Sequence, residues 1–306
     1  MSQLSQLPST EEVARADPGR LGLSYAGSGP LLVVELGMAM AVIRRGIRPD
    51  AIAGVSSGSI TGLAHVLDDE GGTGVQMAAD VLGRQVNDGV LGLRWWQVLL
   101  HLGIGHWKSV GDNHPLAPIL RAALRQRFSL DDPSLDDLPG PPLAIAAADR
   151  IIGEPCWFPE GTDVVDAIIA STAIPGLFPW VQMEVNGRSR ILVDGGMVSN
   201  QPLSHLVRQG CGTILACDVG PAHPRQSAPT NLLDNALGSI ALSLQRQQQL
   251  EADAVRERLE GRGSLHVIHA DAGEAITSFD YTPAMVARLM ARAEAQVTAQ
   301  LDELGY

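Results

Sequence analysis

The stretch AIAGVSSGSITGLAHVLDDE (51–70) changes character twice within twenty residues. AIAGV (51–55) is short, continuous and apolar, the pattern of a strand covered on both faces. ITGLAHVLDDE (60–70) carries apolar residues at helical spacing. Between them Gly54-Val55-Ser56-Ser57-Gly58 fits G-x-S-x-G. In a chain with 33 glycines that pattern alone is weak, and an ordinary glycine-rich turn would also produce it. Set between a strand and a helix, it predicts a nucleophile elbow, a sharp turn that holds the Ser56 hydroxyl clear of the sheet. Glycines are expected on both flanks, because a side chain there would collide in so tight a turn.

Other segments repeat the alternation. LGLSYA (21–26), PLAIAAA (142–148), RILV (190–193), TILACDV (213–219) and LHVIHA (265–270) read as strands. Helices are expected near 31–46, 57–69, 73–87, 114–127, 162–170, 203–209, 231–259 and 283–303. Strand–helix alternation of this kind predicts an α/β fold of three layers, α/β/α, with a mainly parallel sheet covered by helices. DDPSLDDLPGPP (131–142) and PAHPRQSAP (221–229) read as loops. Residues 1–19 are polar and irregular and read as a flexible leader; 20–306 read as one domain, with no repeat and no linker.

Composition narrows the function. With 34 acidic against 22 basic residues the net charge is -12, which argues against a nucleic-acid partner. One lysine, Lys108, makes no polybasic membrane anchor. Cys156, Cys211 and Cys217 lack metal-type spacing and read as buried thiols in a reducing compartment. The first twenty residues lack a basic start followed by an apolar run, so a cytoplasmic protein is expected, with peripheral membrane contact as an option. No metal and no cofactor are expected.

A serine needs a base and an oxyanion site. Asp194 in RILVDGGMVSNQP (190–202) ends an apolar strand and is followed by two glycines. It reads equally as a base at the carboxyl edge of the sheet or as a strand-end Asp capping a turn. In Ala26-Gly27-Ser28-Gly29-Pro30, Gly27, Ser28 and Gly29 can turn N–H groups toward one point, whereas Pro30 cannot donate. That loop could hold an oxyanion or cradle a phosphate. Asp149, at another strand end, reads as structural.

Together, GVSSGS (54–59), ASTAIPGLFPW (170–180) and VDGGMVSNQP (193–202), in this order, resemble the patatin-like phospholipase family. The resemblance runs from about Leu21 to the C-terminal helix. It implies a three-layer α/β/α fold and hydrolysis of lipid acyl esters by a Ser–Asp dyad without histidine. By position, Ser56 is then the nucleophile, Asp194 the base, and Gly27, Ser28 and Gly29 the oxyanion donors. The family's loop carries more glycines and a basic residue; here Tyr25 and Ala26 replace glycines and Gly29 takes the basic place. Two other readings stay open. One is a lipid-binding or regulatory protein without turnover. The other is an α/β-hydrolase with a Ser–Asp–His triad, for which His205, His223, His266 or His269 would have to serve. LGLRWWQVLLHLGIGHWKS (91–109), with Trp95, Trp96 and Trp107, reads either as a buried helix or as an element at a lipid surface.

Overall fold

The computed structural model describes residues 7–68, 71–85, 109, 111–220, 232–276 and 279–306. Eight strands form one sheet: β1 (Asp17–Tyr25), β2 (Ala51–Val55), β3 (Leu143–Asp149), β4 (Glu154–Trp157), β5 (Val181–Val185), β6 (Arg188–Val193), β7 (Cys211–Val219) and β8 (Ser264–Ala270). Hydrogen-bonded neighbours run β5–β6–β3–β2–β1–β7–β8, with β4 on β3. The β3–β2–β1–β7–β8 core is parallel, while β4, β5 and β6 join antiparallel.

The strands sort their side chains by size. Leu23, Tyr25, Ile52, Ile145, Leu215 and Ile268 pack to one face under α2 (Leu32–Arg44), α3 (Ser57–Val66), α4 (Thr73–Gln85), α5 (Leu116–Phe128), α6 (Val164–Ser171) and α9 (Pro283–Leu304). Ala51, Ala53, Ile214 and Ala216 face the other way, toward α1 (Thr10–Arg15), α7 (Leu203–Arg208) and α8 (Leu232–Leu259). That second face is shallow, so α7 lies close: a Cβ on Gly22 would stand 3.1 Å from Leu206 Cβ. Helices on both faces make this the expected three-layer α/β/α fold.

The expected loose leader is corrected over its second half. Ser9 caps α1 in a reciprocal box with Glu12, Val13 is buried against α7 and α8, and β1 begins at Asp17. The sequence reading also passed over β4 and β5. Within 240–259, Ile240 and Leu244 are half-buried and Leu242 is exposed, whereas Gln248, Ala252, Val255 and Leu259 are buried. The segment 91–108 with its three tryptophans, and the loop 221–229 with His223, lie outside the described residues.

Candidate active site

Two strands meet head-on at the serine. Ala146 of β3 pairs with Val55 on one edge and Trp157 on the other, and Ala148 pairs with Pro155 and Val193. β4 takes one edge of β3 from Ala146 to Asp149, so β2 and β6 share the other. β2 runs up that edge as far as Ala146, and β6 runs down it as far as Ala148. The next residue of each, Ser56 and Asp194, comes level with Ala147. Their side chains meet there, Ser56 Oγ donating to Asp194 Oδ2 at 2.6 Å. Asp194 does follow the end of an apolar strand, as expected, but that strand is antiparallel to its neighbour β3. It reaches the site from an antiparallel strand that arrives from outside.

Glycines permit this junction. A Cβ on Gly195 would lie 2.3 Å from the Ala146 carbonyl oxygen and 3.2 Å from Val55 Cβ. On the other side, Gly54 and Gly58 pack backbone to backbone: a Cβ on Gly54 would meet Gly58 O at 2.2 Å, and one on Gly58 would meet Tyr25 O at 2.4 Å. Ser56 itself adopts φ 51°, ψ -129°, a conformation costing an L residue on the order of 1–3 kcal/mol. Part of what holds it is Ser171, at the end of α6, whose Oγ accepts from Ser56 N–H at 2.9 Å and donates to Ala146 O at 2.7 Å.

Both groups of the pair are buried, at 6% exposure for Ser56 and 4% for Asp194. Burial raises the Asp194 carboxyl to about 6, against the lowering effect of its bonds from Ser56 Oγ and from Gly196 N–H at 2.8 Å. With Oδ1 on Gly196 and Oδ2 on Ser56, the carboxylate has a bond on each oxygen. The described histidines lie elsewhere, His114 bonding Asp112. His65 bonds Tyr25 OH and is pushed down to about 4 by burial; His205 stacks on Trp157; His269 bonds Asp218; His266 meets the Tyr306 ring edge-on. Among the described residues no histidine touches Ser56 or Asp194, and no cluster of three metal-ligating side chains occurs. Asp149 pairs with Arg190 at 2.6 Å and accepts from Ile151 N–H, as a structural strand-end carboxylate does.

The loop after β1 is less open than its sequence implies. Gly27 N–H donates to Asn200 O at 2.9 Å and Ser28 N–H donates to Ser57 Oγ at 2.7 Å, so both are already engaged within the protein. Gly29, at φ 54° in the first turn of a short 3-10 helix, Gly29–Leu31, has an N–H with no partner among the described residues. So does Ser57, the first residue of α3, where the helix dipole favours negative charge. Both line, with Ser56, a cleft of about 640 Å³ including its mouth. Its walls are chiefly apolar: Leu32, Ile60, Val81, Leu82, Leu116, Ile119, Ile174, Phe178 and Phe279, with Asn113 and Thr172 as polar exceptions.

The model of the family described as patatin-like phospholipase matches residues 23–207, more than half of the chain. The chain belongs to the patatin-like phospholipase family. Curated relatives include an uncharacterized NTE family protein of Mycobacterium tuberculosis, 25% identical over 212 residues, covering 68% of this chain and 32% of that one. A lysophospholipase of Saccharomyces cerevisiae, NTE1, is 26% identical over 211 residues, covering 67% of this chain and 11% of its own. The chain thus spans about a third of the mycobacterial relative and about a ninth of the yeast one. A human GIVD cytosolic phospholipase A2 structure superposes with a TM-score of 0.50 at 11% identity, over 99% of this chain and 65% of that one, which shows likeness of fold.

On this patatin-like frame the sequence motifs gain partners that their letters did not announce. Ser171 lies in ASTAIPGLFPW and braces the elbow; Asn200 lies in VDGGMVSNQP and holds Gly27. Asn200 is held in turn by Gln248 of α8, Nδ2 to Oε1 at 3.0 Å, and Gln248 also donates to Gln201 and Asp218. Buried serine and asparagine inside otherwise apolar runs were the available signal, since such groups persist in cores only when bonded.

Proposed function

We propose that the protein hydrolyses fatty-acyl esters of lipids, with Ser56 as nucleophile and Asp194 as the base. The observation that carries this is the 2.6 Å Ser56 Oγ to Asp194 Oδ2 hydrogen bond at the floor of an apolar cleft. Ser56 Oγ attacks the ester carbonyl carbon as its proton passes to Asp194 Oδ2. The carbonyl π pair moves to oxygen, where the N–H groups of Gly29 and Ser57 receive the negative charge. Collapse breaks the bond to the leaving alcohol, which takes the proton from Asp194 and departs, leaving the acyl group on Ser56. Water then attacks the acyl-enzyme, giving its proton to Asp194, and the fatty acid leaves as Ser56 Oγ recovers that proton.

A carboxyl with a value near 6 suits both directions of transfer, being ionised at pH 7 and basic enough to accept a proton. Apolar walls suit an acyl chain and supply the burial that sets this value. The same observations disfavour the triad, because Asp194 bonds the serine directly. They disfavour loss of turnover as well, because base and nucleophile are in hydrogen-bonded contact. The test is hydrolysis of p-nitrophenyl esters of short and long acyl chains by wild type, Ser56→Ala and Asp194→Asn. Turnover by wild type, with both variants at background, is expected. Equal rates for wild type and Ser56→Ala on every chain length would sink the proposal.

A further inference from the structure

Two turns rise past the dyad at the carboxyl edge of the sheet. The β3–β4 turn, Arg150-Ile151-Ile152-Gly153, begins three residues beyond the level of Ser56, and the β5–β6 turn, Asn186-Gly187, lies seven residues before Asp194. At about 3.3 Å per strand residue the β3–β4 turn begins roughly 10 Å and the β5–β6 turn roughly 23 Å beyond the dyad. Ile151 and Ile152 are 68% and 57% exposed, a costly position for two adjacent isoleucines. Trp180, 40% exposed, lies two residues past the cleft residue Phe178. Met197, 37% exposed, lies three residues past Asp194.

Charge distinguishes these turns from the rest of an acidic chain. Arg150 and Arg188, at the two turns, are exposed and form no ion pair among the described residues. Asp149 is neutralised by Arg190, and the remaining acids, Glu154 and Glu184, stand on the strands behind the tips. From this geometry we infer that the two hairpin tips form the surface by which the protein docks on an anionic lipid layer. Ile151 and Ile152 enter the boundary between head groups and acyl chains, while Arg150 and Arg188 meet the head-group charge. The surface rests on the lipid-hydrolase reading for its purpose, since it would present the cleft to the layer that holds its substrate.

Docking and chemistry can be read apart. In the Ser56→Ala background, which cannot turn lipid over, co-sedimentation is measured with vesicles of phosphatidylcholine alone and with a third phosphatidylglycerol. The parent should bind the mixed vesicles and bind the neutral ones at least fivefold less. Ile151→Asp/Ile152→Asp and Arg150→Glu/Arg188→Glu should each lose tenfold or more in partition coefficient, with an unchanged melting temperature. In the native background both double variants should keep wild-type rates on a short-chain soluble ester and lose most of the rate on vesicles. A parent that binds neither vesicle, or double variants that sediment like the parent, overturns the docking surface. If the vesicle results hold while no ester is hydrolysed, the surface stands and the catalytic reading alone falls.

Discussion

Asp194→Asn should stabilise the protein at neutral pH while abolishing the proposed chemistry, and the gain should vanish in acid. Asn can keep both contacts, accepting from Gly196 N–H through Oδ1 and donating through Nδ2 to Ser56 Oγ. What it removes is a buried charge. The carboxyl ionises at an ordinary 3.8 in the unfolded chain and at about 6 in the fold, a gap of roughly 2 units, or about 3 kcal/mol at 1.36 kcal/mol per unit. Between those values the folded state holds more protons than the unfolded one, so this group makes stability fall as pH rises from about 4 to about 6, and the penalty is constant above. Below 4 the acid is neutral in both states and costs nothing. The Asn variant, free of the term, should therefore melt with wild type near pH 4 and above it at pH 8. At about 2 °C per kcal/mol for a chain of this size, the separation should approach 6 °C. Circular-dichroism melts of both proteins across that range decide it. A separation that does not change with pH, or a variant that melts lower at pH 8, would show that burial does not hold the carboxyl up.

The same value predicts that kcat/KM for a soluble ester climbs tenfold per pH unit below 6 and levels above it, since the base must be ionised; a rise centred near 7 instead would implicate a histidine base. Ser171→Ala removes the acceptor for Ser56 N–H, and stability should drop by about 1–3 kcal/mol with kcat reduced more than tenfold at little change in KM. Gly195→Ala should abolish soluble, active protein, because its Cβ would stand 2.3 Å from a β3 carbonyl, whereas Gly161→Ala, with open space around it, should melt like wild type. Gln248→Leu should cost on the order of 1–3 kcal/mol in denaturant titrations by stranding Asn200 Nδ2 and one Asp218 contact, and should lower activity through the Gly27 loop.

The parallel core was legible because its strands are covered twice and so read as unbroken apolar runs; AIAGV (51–55) matches β2 residue for residue. The antiparallel additions were not read. VQMEV (181–185) alternates and is half exposed, and EPCW (154–157) is four residues containing a proline. One signal was present: Asn186-Gly187, at φ 53° and 70°, is the pair a two-residue hairpin favours, and it sits where β5 turns into β6. Its reading would also have shown that Asp194 ends an antiparallel strand. Ser56 and Asp194 stood out because each follows an apolar strand, Ser56 between Gly54 and Gly58 and Asp194 before Gly195. The donors of the β1 loop could not be chosen by letter, since Gly27, Ser28 and Gly29 all have N–H groups. What separates them is tertiary: Asn200 and Ser57 take the first two.

The head-on meeting of β2 and β6 also sets an order in time. Ser56 and Asp194 are 138 residues apart, so at about 5–20 residues per second a ribosome adds the proposed base roughly 7–28 seconds after the proposed nucleophile. During that interval Ser56 lacks both Asp194 and, until α6 is made, the Ser171 hydroxyl that accepts from its N–H. The proposed dyad is complete only when the upper half of the β3 edge is filled. On that reading, the ester-cleaving pair comes into being late in synthesis, after most of the sheet that frames it.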